Sequence, residues 1–147
     1  MTGLLLDHDE AVGAYLFASH EQSPMKFDRA IGLISKEGKL AGAVLFHNWN
    51  GANVEISYYG ANTMTPGVVR FLSRFVIAVF DPSRLSATVS KRNRSFIRSM
   101  QRLGFRMEGA QRCYYGKQDC IRNTGVKLVM FRSRLDELAG YAQQKVS

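Results

Sequence analysis

The spacing of apolar residues predicts a helix and three strands in the first half of the chain. Residues 9–19 repeat their apolar positions at helical spacing. Three later segments are apolar or alternate between apolar and polar residues, which is typical of strands: 30–35, 40–47 and 53–59. A polar turn at 36–39 joins the first two strands, and Asn50-Gly51 predicts a two-residue turn with positive φ before the third. These strands are expected to be antiparallel.

The second half alternates helices with strands. Thr65-Pro66 predicts a helix start, because the threonine can cap free amides and proline at the first position loses no needed hydrogen bond. An apolar stripe along this helix indicates core packing: Val68, Leu72, Phe75, Val76 and Val79. We predict the remaining elements as a strand at 84–89, a helix at 92–102, closing strands at 105–115 and 126–132, and a short helix at 135–142. Gly104 fits the left-handed position after the second helix. The strand at 84–89 follows a helix that carries the chain back over the sheet, so we expect this strand to be parallel to a neighbour.

Composition favours one ordinary folded domain over residues 1–147. Hydrophobic residues make up 46% of the chain and charged residues 22%, which excludes the disordered and membrane-spanning classes. The N-terminus has no signal-peptide pattern, so we expect a cytoplasmic protein with Cys113 and Cys120 as free thiols. The three histidines lack metal-ligand spacing and are assigned to surface or loop positions, so no metal is expected: His8, His20 and His47.

Positive charge is concentrated in the second half. The whole chain carries +8, but residues 1–60 hold four Lys/Arg against seven Asp/Glu, which leaves sixteen against five for residues 61–147. A basic region attracts a polyanion, which can be nucleic acid, an acidic protein or a small ligand with several phosphates. Nucleic acid ranks last, because no DNA- or RNA-binding motif accompanies the charge.

Residues 93–109 read NRSFIRSMQRLGFRMEG, in which an asparagine is followed by a helix, Leu-Gly-Phe and Glu-Gly. This motif and the order of elements resemble the GNAT superfamily of acyl-CoA-dependent N-acyltransferases, which has a similar signature. The resemblance implies an α/β fold with a central, mostly antiparallel sheet flanked by helices. Residues 55–58, EISY, are similar to the branch of ribosomal-protein N-terminal acetyltransferases and short phage-encoded acetyltransferase-like proteins.

The resemblance implies an acetyl-CoA site that starts at the helix after Thr65. Helix N-termini offer free amides to phosphates, so Thr65, Gly67 and Val68 are candidates for holding the pyrophosphate. The stretch 62–68 has only one of the glycines usual in the family, and it also fits the plain start of a core helix. The pantetheine arm is expected to meet backbone groups of Ser57, Tyr58 and Tyr59, in the manner of an added strand.

The second helix supplies further candidates. Asn93 fits a helix cap and also a hydrogen-bonding partner of the pantetheine arm. Arg94 and Arg98 lie one turn apart with no acid between residues 91 and 106. Like charges at this spacing repel, so the pair indicates either a solvated face or a site for the 3′-phosphate of coenzyme A. Met100 stands where many members have a tyrosine that protonates the departing thiolate, which a methionine cannot do.

Glu55 is the candidate general base, because acyl transfer needs a neutral amine and Glu55 lies opposite the apolar face of its strand. A surface salt bridge is the other interpretation of Glu55. Tyr114, Tyr115 and Asp119 fit either the acceptor side or strand packing. The leading hypothesis is direct transfer of an acetyl group from acetyl-CoA to an amine acceptor. The alternative is a degenerate GNAT domain that serves as a binding or structural protein, including a phage component; the sequence sets neither acceptor nor oligomeric state.

Overall fold

The computed structural model describes residues 3–19, 25–60 and 64–141. Its strands are β1 (Gly3–Leu5), β2 (Arg29–Ile34), β3 (Leu40–His47), β4 (Asn53–Tyr59), β5 (Arg84–Ser90), β6 (Arg106–Gln111) and β7 (Gly125–Phe131). Its helices are α1 (Asp9–Ser19), α2 (Pro66–Phe80), α3 (Arg94–Leu103) and α4 (Arg132–Ala139). The predicted loop over 20–28 falls partly outside the described residues, since 20–24 are not among them.

The seven strands form one sheet in the order β1-β2-β3-β4-β5-β7-β6. Every neighbouring pair is antiparallel except β4 and β5, which are parallel because α2 carries the chain back across the sheet. The predicted parallel strand is therefore confirmed, and so is the α/β class with a mostly antiparallel sheet between helices. Strand β1 was not predicted, because its three residues are too few to show a pattern.

Helix α2 follows its predicted limits. Thr65 precedes the helix in extended conformation, and its side chain accepts a hydrogen bond from the Val68 amide, while Pro66 occupies the first helical turn. The predicted apolar stripe is wrong at one position, since Val79 is 43% exposed whereas Phe80 is buried against the sheet. The helix ends there because Asp81 adopts a left-handed conformation.

Several predicted boundaries in the second half need correction. Helix α3 begins at Arg94 rather than residue 92, because Asn93 acts as its cap, and Gly104 ends it with φ 116° as predicted. Strand β6 stops at Gln111, four residues before the predicted limit, where a turn-rich loop begins. Helix α4 starts at Arg132, directly after β7, and not at 135; the Arg132 guanidinium is 2.9 Å from Asp136 one turn later.

The link between β3 and β4 is also longer than predicted. It spans residues 48–52, and Asn50 is not in a left-handed conformation. Its side-chain oxygen instead accepts hydrogen bonds from the amides of Ala52 and Asn53 at 3.0 and 2.8 Å. This side-chain turn replaces the expected two-residue turn, and the positive φ angles belong to Asn48 and Gly51.

Apolar side chains pack on both faces of the sheet. The larger cluster lies between the sheet and helices α2, α3 and α4, and it includes Phe46, Val76 and Leu128. The smaller cluster lies under α1 and contains five buried residues: Val12, Leu16, Ala30, Ala43 and Leu45. In the part of the chain that the structure describes, no helix has the length and apolar character needed to cross a membrane.

Candidate active site

The sheet opens between its two parallel strands. β4 and β5 are paired at only three positions, the last of which joins Glu55 to Ser86. Beyond it, residues 56–59 remain paired with β3 on their other side, and residues 87–90 remain paired with β7. The strand edges that face each other across this gap therefore present backbone donors and acceptors without a ladder partner. An extended, amide-containing ligand can pair with such edges.

A cavity of about 470 Å³ lies on the helix side of this opening. Its wall includes Ile56 and Tyr58 from β4, Met100 from α3, and apolar residues of α2. The Tyr58 ring is stacked on Phe96 with the centroids 5.9 Å apart, which joins β4 to α3 across the gap. The cavity can take apolar parts of a ligand, and Met100 offers it no acidic proton.

At the start of α2, where a phosphate site is expected, the amides differ in whether they already have a partner. The amide of Val68 already donates to the Thr65 hydroxyl oxygen over 3.2 Å. The Gly67 amide has no carbonyl partner within the helix, because it belongs to the first turn. A Cβ at Gly67 would meet only that hydroxyl, at 4.0 Å, so local packing leaves open space here. Gly67 is therefore the better phosphate candidate, and residues 61–63 of the predicted loop lie outside the described residues.

Helix α3 presents its predicted arginines to solvent. Arg94 and Arg98 are both exposed, and no described carboxylate forms an ion pair with either. The Asn93 side chain accepts a 3.4 Å hydrogen bond from the Phe96 amide, so the cap interpretation of Asn93 is confirmed. The arginines form a positive face that an anion can neutralise.

The opposite face of the sheet carries a polar cluster around Glu55. One Glu55 oxygen lies 3.7 Å from the Lys127 ammonium, and the other accepts a 3.4 Å hydrogen bond from Asn48. The Glu55 side chain is 21% exposed, so a small ligand can still reach it. Ser57 and Tyr59 share this face, since alternate residues of a strand point the same way. Glu55 is thus in an ion pair and also at the mouth of the opening.

The assignment of His47 to a surface or loop position is wrong. His47 ends β3, is only 7% exposed, and has Nε2 2.9 Å from the Ser57 hydroxyl oxygen. Its Nδ1 lies 3.7 Å from Glu55. Burial lowers the pKa of His47, although Glu55 and Asp28 oppose the shift. The predicted strand at 40–47 already included His47, and its alternation with Ala43 and Leu45 could have placed the imidazole on their buried face.

The expectation of two free thiols is also wrong. Cys113 and Cys120 are paired as a disulfide that closes the loop between β6 and β7. Within this loop the Tyr114 and Tyr115 rings meet edge to face at 4.8 Å, and the Tyr115 hydroxyl donates to the Thr88 carbonyl over 3.3 Å. Burial, with Tyr114 and Tyr59 nearby, raises the pKa of Tyr115 to about 12. The loop therefore brings two tyrosines to the polar face of β5.

Ser86 is a further polar group that sequence reasoning did not find. It is fully buried, and its hydroxyl is the one buried side-chain polar atom without a hydrogen-bond partner among the described residues. Leu85 and Ala87 belong to the core beneath α2 and α3, so Ser86 points to the opposite face, which is that of Glu55. Buried hydroxyls are normally paired, so this unpaired one is unusual, and it lies at the last position where β4 and β5 are paired.

Structure comparison relates this arrangement to known acetyltransferase folds. Mutant forms of the spermidine/spermine N-acetyltransferase SpeG from Vibrio cholerae match with a TM-score of 0.62 and 15% identity, covering 83% of this chain and 73% of theirs. A GCN5-related N-acetyltransferase from Brucella melitensis matches with a TM-score of 0.65 and 20% identity, covering 86% and 62%. A protein provisionally assigned as a phosphinothricin N-acetyltransferase gives a TM-score of 0.63 at 15% identity, covering 89% and 98%.

These likenesses show that the chain has the fold of the GNAT acetyltransferases. Comparison of the sequence alone, in contrast to comparison of the structure, found no relative. No protein-family model matches it, and no curated protein matches it either. What the protein does must therefore be argued from its own residues.

Proposed function

We propose that this protein transfers an acetyl group from acetyl-CoA directly to an amine. The observation that carries the proposal is the opening between β4 and β5, which has Glu55 at its mouth and a cavity on its helix side. Neither Cys113 nor Cys120 is a free thiol, so a covalent acetyl-cysteine is not part of the mechanism. The protein contributes orientation of the two substrates and removal of protons.

The residues present fit coenzyme A. Acetyl-CoA, when bound, supplies an acetyl group activated as a thioester. The edge of β4 at Ser57, Tyr58 and Tyr59 borders the opening, and the backbone groups of this stretch that point into it can pair with the amides of a pantetheine arm. The amide of Gly67 and the positive end of α2 favour the pyrophosphate, while Arg94 and Arg98 favour the 3′-phosphate.

Glu55 is the proposed base. An amine arrives at neutral pH as an ammonium ion, and it becomes a nucleophile only after it loses a proton. The Glu55 carboxylate is held by Asn48 and Lys127 on the acceptor side of the opening. The Lys127 ammonium lies 3.7 Å from one Glu55 oxygen, and the partial exposure of Glu55 lets an ammonium ion reach it.

The acceptor remains an amine of unassigned identity. Among the structural neighbours, one is named for spermidine and spermine and one for phosphinothricin, and both are amine acetyltransferases by name. The proposal also includes a single domain over residues 1–147, a cytoplasmic location, and membership of the ribosomal-protein or phage branch. The continuous sheet of the described residues supports the first of these.

Two measurements test the function. Acetyl-CoA at low salt should raise the melting temperature by mass action, and the shift should shrink as salt is added, because phosphates meet arginines. Mass spectrometry of a panel of amines should then show one acetyl group added to at least one acceptor. A flat thermal titration to millimolar acetyl-CoA would refute the cofactor site. Binding without transfer to any amine would favour the degenerate, non-catalytic GNAT domain.

A further inference from the structure

The Lys127 side chain reaches across the polar face of the sheet to the mouth of the opening. Lys127 is on β7, where it is paired with Thr88 in the stretch of β5 that has separated from β4. The strand order places β5 between β7 and β4, yet the Lys127 ammonium lies 3.7 Å from Oε1 of Glu55 on β4. The lysine side chain therefore crosses above β5. An amine of the protein itself is thus within reach of the proposed base.

We propose that Lys127 is an acetyl acceptor, so that the protein acetylates its own Nζ from acetyl-CoA bound in the opening of the same molecule. The inference rests on the proposed function and assigns to it one acceptor, which is also a modification site. An amine held beside a base on one molecule reacts as if it were at a high local concentration. Of the lysines in the described ranges, Lys127 is the one with a carboxylate within 4 Å.

The two Glu55 oxygens have separate neighbours. Oε2 accepts a 3.4 Å hydrogen bond from Asn48 and lies 3.7 Å from Nδ1 of His47. Oε1 is the atom that faces Lys127. A separation of 3.7 Å is too long for a hydrogen bond, so the ion pair does not fix the amine in one position. Glu55 can therefore keep its orientation through Oε2 while Oε1 takes a proton from Lys127.

A second polar group on the same face suits a neutral amine. Ser86 is fully buried, and its hydroxyl has no hydrogen-bond partner among the described residues. It lies in register with Glu55, on the strand that the Lys127 side chain crosses. The Ser86 oxygen can accept a hydrogen bond from the amine once that amine is neutral, which leaves the nitrogen lone pair free to attack. The Lys127 side chain is 30% exposed, so it has room to rotate.

The reaction exchanges a carbon–sulfur bond for a carbon–nitrogen bond. Oε1 of Glu55 takes one proton from the Lys127 ammonium, which leaves a neutral amine. The Nζ lone pair bonds to the acetyl carbon, and the carbon–sulfur bond breaks with its electron pair on sulfur. The second nitrogen proton reaches that sulfur through solvent, so coenzyme A leaves as a thiol, and Glu55 returns its proton to solvent. The product is an uncharged amide at Lys127, which no longer forms an ion pair with Glu55.

Mass spectrometry of the full chain incubated with acetyl-CoA tests the inference. Wild type should gain one acetyl group that maps to Lys127. Its rate should exceed that at the exposed Lys36 and Lys117 by roughly a hundredfold or more, because positioning and the base act only at Lys127. The rate per molecule should not change when the protein is diluted about tenfold, since amine and opening belong to one molecule. Excess free coenzyme A should slow acetylation of Lys127 but not that of Lys36.

Three variants separate the site from the background. Lys127→Arg keeps a cation beside Glu55 without a primary amine, so the single acetyl group should be absent. Lys36→Arg is the matched control in the exposed turn between β2 and β3, and it should be acetylated as wild type is. Glu55→Gln should slow acetylation of Lys127 by roughly tenfold to a hundredfold, while acetyl-CoA still raises the melting temperature. A Lys127→Arg or Glu55→Gln protein that gains the acetyl group at the wild-type rate would overturn the inference.

Failure of this inference and failure of the proposed function give different results. If an amine of the panel is acetylated while Lys127 stays unmodified, or is modified no faster than Lys36, self-acetylation is refuted and the proposed function stands. If neither Lys127 nor any added amine is acetylated, both are refuted. A rate per molecule that rises with protein concentration would overturn the inference in favour of transfer between two molecules.

Discussion

Arg134 on α4 lies across Gly104 at the end of α3. The Arg134 side chain donates to the Leu103 carbonyl over 2.8 Å, and a Cβ on Gly104 would lie only 2.6 Å from its Cγ. Gly104 has φ 116°, a conformation that side chains other than glycine rarely adopt. The glycine of the Leu-Gly-Phe signature thus has two structural reasons to be a glycine. Its positive φ ends α3, and its missing side chain leaves room for Arg134 of α4.

Gly104→Ala should lower the free energy of unfolding by about 1–3 kcal/mol, the usual cost of a strained backbone position. Urea unfolding measures the change. Gly109→Ala is the matched control, because a Cβ there meets nothing within 4 Å and its φ is not positive, and it should have little effect. Equal stability of both variants would show that the contact with Arg134 and the φ angle carry no cost.

Replacing Arg94 and Arg98 together by glutamine should weaken coenzyme A binding roughly tenfold, the sum expected for two exposed ion pairs. Binding of a dephospho analogue without the 3′-phosphate should change less. Stability should stay the same or rise, because the change relieves repulsion between cations one turn apart. Isothermal titration at low salt gives both affinities. If the affinities for both ligands fell equally, the arginines would not bind the 3′-phosphate and would form a solvated face.

Glu55→Gln should lower turnover at neutral pH by roughly a hundredfold, as expected for the loss of a general base, while acetyl-CoA affinity stays nearly constant. The deficit should shrink as pH rises, because more of the amine is already neutral. Steady-state rates from neutral to alkaline pH measure the convergence. If Glu55→Gln had the turnover of wild type, the proposed acetyl transfer would stand, but Glu55 would not be its base.

His47 should make stability depend on pH. Burial lowers its pKa below the usual 6.5, so the unfolded chain binds more protons in the window beneath that value. The free energy of unfolding should therefore fall as pH drops below 6.5, by at most about 1.4 kcal/mol per pH unit for one group. Urea unfolding at several pH values should show a flatter dependence for His47→Gln. A parallel dependence in both proteins would place the titration elsewhere.

Reduction of Cys113–Cys120 should lower stability by roughly 2–3 kcal/mol, the loop-closure entropy expected for so short a loop. Thermal unfolding with and without dithiothreitol measures this loss. A Cys113→Ser, Cys120→Ser protein should melt at the same temperature in both conditions. If dithiothreitol also left the melting temperature of wild type unchanged, its cysteines would be free thiols in solution.

The sequence predicted those parts of the fold whose signals are local. Helix α2 has a threonine cap, a proline and an apolar stripe, and its observed limits are those expected. Strand β4 shows clear alternation, and it also has the predicted limits. The turn after β3 was predicted too short, because the side-chain oxygen of Asn50 accepts the hydrogen bonds that a backbone carbonyl accepts in a two-residue turn.

The site was harder to predict because it depends on register. His47 meets Ser57 and Glu55 only because β3 and β4 are paired so that residues 47 and 55 are opposite. Ser86 joins them through the parallel pairing with β5, which no local pattern specifies. The disulfide likewise depends on how the loop between β6 and β7 folds back. Single residues such as Glu55 could be named in advance, whereas their partners could not.

The sheet divides the core unequally: among the described residues, eighteen are buried in the cluster beneath α2, α3 and α4 and five in the cluster beneath α1. Helix α1 therefore has fewer contacts to lose when it detaches. Native-state hydrogen exchange should resolve two cooperative units, with the α1 amides exchanging through a partial opening and the α2 amides only through global unfolding. The sheet face that holds Glu55 and His47 would then belong to the less protected side of the molecule.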